Sequence, residues 1–102
     1  VVGLFVLADQ AAAQSIKYDG AVALAREVME EKRALPFDEL VGGDRHGDSV
    51  AGPFHRRWQL VPDRPAAGLA TLSVEVAWQD AQGRPRQLEL AMVRADPRGG
   101  GL

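Results

Sequence analysis

A chain of 102 residues with no cysteine, 12 basic and 14 acidic side chains and a formal net charge of -2 is long enough for one domain with a modest core. This balance carries neither the basic footprint of a nucleic-acid binder nor a charged tail. The lack of cysteine excludes disulfides, thiolate metal sites and cysteine nucleophiles, but no compartment.

In chain order, residues 1–35 read as one long N-terminal helix. Its opening, Val1-Val2-Gly3-Leu4-Phe5-Val6-Leu7-Ala8, is almost wholly apolar, and no proline intervenes before Pro36. Eight apolar residues fall well short of the roughly 20 that span a bilayer. No basic segment precedes them, as a signal peptide requires. They read instead as the end of a longer membrane-spanning or helix-packing segment. Further along, Tyr18, Ala21, Val22, Ala25, Val28 and Met29 recur at spacings of three and four, which makes one apolar helix face. Arg26, Glu27, Glu30, Glu31 and Arg33 mostly lie off that face. Gly20 is the weak point, at a cost of ~1 kcal/mol relative to alanine. Pro36 disfavours the α conformation at Leu35 and ends the helix.

Residues 36–53 read as a connecting loop. Phe37 and Leu40 would anchor it, and Gly42-Gly43-Asp44-Arg45-His46-Gly47-Asp48 is a polar flexible stretch. From residue 54 the hydrophobic period becomes two. Phe54, Trp58 and Leu60 share a face that Arg56 interrupts. Leu72, Val74, Val76 and Trp78 alternate with polar or small residues, as do Leu88, Leu90 and Met92. Asp80-Ala81-Gln82-Gly83 fits a type I turn followed by glycine in the left-handed region, closing a hairpin. One apolar and one polar face per strand predict an antiparallel sheet over residues 54–95, covered on one side by the helix. The Gly-rich residues 96–102 read as a disordered tail.

The expected fold class is α+β, a long N-terminal helix packed on a three- to four-stranded antiparallel sheet. Its core comprises Val22, Val28, Met29, Trp58, Val74, Val76, Trp78, Leu88 and Leu90. Strands of about 20 Å cover roughly 13 residues of a helix rising 1.5 Å per residue. Under this reading the first fifteen residues have no partner within the chain.

Three stretches carry a resemblance to a known family. They are the helix close Ala21-Val22-Ala23-Leu24-Ala25-Arg26-Glu27-Val28-Met29-Glu30-Glu31-Lys32-Arg33-Ala34-Leu35-Pro36-Phe37-Asp38-Glu39-Leu40, the strand Phe54-His55-Arg56-Arg57-Trp58-Gln59-Leu60, and the hairpin Leu72-Ser73-Val74-Glu75-Val76-Ala77-Trp78-Gln79-Asp80-Ala81-Gln82-Gly83-Arg84. In order and spacing the chain resembles type IV pilin-like proteins, in the minor pilin and minor pseudopilin branch. The family's peptidase site and the glutamate near the start of its mature helix have no counterpart here, so the resemblance places both upstream. The missing cysteines favour a minor over a major pilin. The resemblance implies a pilin-like fold and an inner-membrane anchor through the helix. It also implies a periplasmic globular part, and other pilin or pseudopilin subunits as partners in a pilus or type II secretion pseudopilus. On that basis Leu4, Phe5, Leu7 and Ala11 would form the stripe that packs in the filament core.

Chemistry-bearing residues are sparse. Asp44, His46 and Asp48 suggest a divalent ion but lack calcium-loop spacing. His46, His55, Asp44, Asp48 and Ser49 can be written as a hydrolytic triad, without the nucleophile elbow that would support it. Arg56-Arg57 beside Trp58 is slight support for nucleic acid on an acidic chain. The expectation is a non-enzymatic subunit without metal, cofactor or nucleic-acid partner. It would serve initiation or tip assembly of the filament. The alternative is a soluble helix-on-sheet binding module, cystatin-like in shape, whose apolar start pairs with a partner or a second copy.

Overall fold

A computed structural model describes residues 3–8 and 16–97. Seven elements follow one another: β1 (Gly3–Ala8), α1 (Ile16–Arg33), α2 (Phe37–Gly42), β2 (His46–Ala51), β3 (Phe54–Pro62), β4 (Leu69–Gln79) and β5 (Pro85–Ala95). The strands form one sheet in the order β1-β5-β4-β3-β2, and every neighbouring pair is antiparallel.

The expected fold, a long N-terminal helix over residues 1–35 packed on a three- to four-stranded sheet in the pilin-like manner, is overturned: among the described residues there is no long N-terminal helix. Gly3–Ala8 is a strand, and α1 begins at Ile16. Phe5 and Val6 suit a strand, and β5 offers a long edge whose backbone groups need partners. That non-local pairing overrides the helical tendency of the alanine-rich residues that follow. Leu4, Phe5 and Leu7 register opposite Met92, Ala91 and Glu89. They are positions of a strand, so they form no helical stripe. Ala11 lies outside the described residues. The sheet has five strands rather than three or four, because β1 and β2 extend it beyond residues 54–95. The segment 36–53 is no plain loop: it holds α2 and β2. Pro36 sits at the N-cap of α2 with Asp38 and Glu39 in the first turn, where acidic side chains complement the helix dipole. Of the tail, Asp96 and Pro97 are described, and residues 98–102 are not.

The core lies between α1 and one face of the sheet. Ala21 and Ala25 are fully buried, and their small side chains let the helix approach closely. Val28 and Met29 continue the buried stripe, while Val22 is only partly buried. Opposite them Leu72, Val74, Val76, Trp78, Leu88, Leu90 and Met92 are buried, and Trp58 packs at the margin. Gly20, costly in isolation, has a reason to be there: a methyl on it would come 3.1 Å from Phe54 Cζ. The β4–β5 hairpin closes with Gly83 at φ 78° and its N–H donating to Asp80 O. No helix of the described residues is long and apolar enough to cross a membrane.

Candidate functional site

Strand alternation sorts the polar residues onto two faces. Arg56, which interrupts the apolar pattern of β3, belongs to the helix side. Its Nη1 donates to Leu24 O at 3.0 Å and lies 3.7 Å from Glu27 Oε1. Its Nε donates to Ser49 Oγ at 3.3 Å. Two residues on, Trp58 carries the Lys32 ammonium 4.0 Å from its ring centroid. From β5, Arg94 Nη1 donates to Leu35 O at 2.7 Å, just past the end of α1, and to Lys32 O at 3.4 Å, which also accepts from Leu35 N–H at 3.2 Å. Three cationic side chains thus tie the helix to the sheet around the apolar core.

The opposite face is open and polar. Register places Asp48 opposite Arg57, Arg57 opposite Glu75, and Glu75 opposite Glu89, a charged row across four strands. Arg57 Nη2 donates to Glu75 Oε1 at 2.6 Å. That bond, with the attraction of the same carboxylate, pushes the guanidinium pKa further up. With three carboxylates to one guanidinium, the row is acidic. His46, Gln59 and Ser73 line the same shallow depression of about 600 Å³. His55 Nε2 stands 3.8 Å from Asp48 Oδ2 at its margin.

This geometry separates the residues that could be written as a triad. Ser49 faces the helix side, where Arg56 donates to it. Asp48 and His55 meet on the open side. Among the described residues no group of three or more His, Asp or Glu is placed to hold a metal ion.

At the hairpin tip, Asp80 Oδ1 accepts from the N–H groups of Gln82 and Arg84, both at 2.9 Å, and Oδ2 accepts from Arg86 Nε at 3.2 Å. The Arg84 N–H bond, followed by Gln82 N–H and the two guanidinium groups, holds the Asp80 carboxyl below the usual carboxylate range. Sequence reasoning missed Arg94 and the charged row, since both depend on partners far apart in the chain. Asp80 had a local signal in its Asp-Ala-Gln-Gly turn.

Comparison with known protein families, with curated proteins and with solved structures finds no match.

Proposed function

We propose that the chain is a non-enzymatic assembly subunit of the minor pilin or pseudopilin kind, which acts through the protein surfaces of its sheet. The observation that supports this reading is how the three resembling stretches converge. Lys32 of the helix close meets Trp58 of the strand motif. Trp78 of the hairpin motif packs edge-on against Phe54 of that strand, with centroids 6.0 Å apart. Residues that carry the resemblance are thus the ones that join α1, β3 and β4. In this reading the subunit works outside the cytoplasm at the inner membrane, with other pilin or pseudopilin subunits as partners.

One observation favours a second reading, a helix-on-sheet binding module with no filament role: the apolar start is accommodated in the sheet as β1. Two measurements separate the readings. A short basic leader and a long apolar segment encoded ahead of Val1 support the filament subunit, and a polar upstream segment overturns it. Deleting the gene should abolish or thin the filaments, or block secretion by the system encoded beside it. Unchanged filaments and secretion leave the binding module.

A further inference from the structure

The outer edge of β2 carries a backbone ladder that nothing in the described structure uses. Leu60 N–H donates to Arg45 O at 2.7 Å, and the register continues through His46 opposite Gln59 and Gly47 opposite Trp58. In an antiparallel pair, hydrogen-bonded and non-bonded positions alternate. Gly47, Ser49 and Ala51 therefore turn their N–H and C=O groups to β3, while His46, Asp48 and Val50 turn theirs away from the sheet. β2 is the last strand on its side. His46, Asp48, Ser49 and Val50 are exposed, and Val50, 74% exposed, is the large exposed hydrophobic among the described residues. Natural edges are commonly blunted by lysine, proline or a bulge. The sequence from His46 to Ala51 contains neither lysine nor proline, and its register with β3 runs without a break.

We propose that this edge pairs with the same edge of a second copy of the chain, joining two sheets across a two-fold axis. The register is selected by charge. His46, Asp48 and Val50 present the outward ladder groups of β2, so the axis must bring members of this set opposite one another. Centring the axis on Asp48 sets two carboxylates directly opposite. Centring it on Ser49 sets Asp48 against Val50 twice and sends His46 into the turn at Gly52. Centring it on Gly47 sets His46 of each copy opposite Asp48 of the other, so two imidazole N–H groups meet two carboxylates, and it places Val50 opposite Asp44, ahead of β2. Directly opposed side chains that hydrogen-bond support a sheet, and like charges oppose it. A two-fold contact requires such self-complementarity. This pairing holds whether or not the chain is a filament subunit.

In this register residues 46–48 of each copy pair strand to strand, a small interface that predicts weak association, on the order of 100 µM. Sedimentation equilibrium of the 102-residue chain from about 10 µM to 1 mM is the test, with circular dichroism to confirm that each variant folds. The expected result is a monomer–dimer equilibrium that H46D weakens at least tenfold, by setting Asp against Asp48 twice, and that the swap H46D/D48H restores. D48P, which removes an outward N–H without touching the β3 ladder, should likewise abolish the dimer. A chain monomeric throughout overturns the proposal. So does a dimer indifferent to H46D and D48P, which would point to the β1 edge. Failure of the folded double swap to restore association overturns the Gly47-centred register.

Discussion

Replacing Gly47 by alanine tests the packing on which β2 depends. A methyl at that position would lie 2.5 Å from Trp58 Nε1, 2.9 Å from Cε2 and 3.1 Å from Cζ2. Carbon atoms in ordinary contact sit about 3.5–4.0 Å apart, so the indole must retreat by roughly 1 Å. It has little freedom to do so, because Lys32 stands 4.0 Å from its ring centroid. Overpacking of this kind costs about 1–3 kcal/mol. Removing a glycine from a strand recovers about 0.5–1 kcal/mol, so G47A should destabilise by about 1–2 kcal/mol. In a W58L background the obstruction is gone and only the recovery remains, so G47A should then stabilise by about 0.5–1 kcal/mol. Urea unfolding of the four proteins, followed by far-UV circular dichroism, measures the coupling, expected at about 1.5–3 kcal/mol. Additivity within about 0.5 kcal/mol would refute the reasoning, since the glycine would then not be there for the indole.

Three further outcomes follow from the charged contacts. Arg94→Met removes the guanidinium that holds Leu35 O and Lys32 O. It should cost about 1.5 kcal/mol and lower the thermal midpoint by several degrees, and an unchanged midpoint would deny Arg94 its role at the end of α1. Asp80→Asn tests the hairpin through pH. The folded carboxyl titrates below its ordinary value, so its stabilisation is complete above that ordinary value, about 4, and is lost as pH falls through the depressed one. The stability difference between wild type and D80N should therefore be largest near neutrality and shrink as the pH falls below the ordinary carboxylate range; thermal melts from neutral to acid pH check it. Glu75→Gln breaks the pair with Arg57, whose side chain is 62% exposed. It should shift the thermal midpoint only slightly, with an effect that salt diminishes.

How much of this was legible in the sequence depends on where the deciding partner sits. The alternation in Leu72–Trp78 and Leu88–Met92 is local, and both runs are buried on the helix side as strands. The face of α1 from Ala21 to Met29 has the same local character. The start of the chain does not. Gly-Leu-Phe-Val-Leu-Ala is compatible with helix or strand, and the open edge of β5, some eighty residues away, decides it. The row Asp48–Arg57–Glu75–Glu89 is illegible for a related reason. Each member sits in a different strand, and only the register sets them side by side.

Gly47 shows why β2 in particular was hidden. His-Gly-Asp-Ser-Val-Ala has little strand propensity and no clean alternation, so by local rules it is a loop. Yet a bare backbone is what fits beneath Trp58, and a side chain there would keep β2 from closing on β3. The same glycine that weakens the strand signal thus permits the strand. It also lies between His46 and Asp48, the first two positions of the outward ladder. An enlarged side chain at residue 47 should therefore disturb the packing against Trp58 and the pairing of β2 with β3 together.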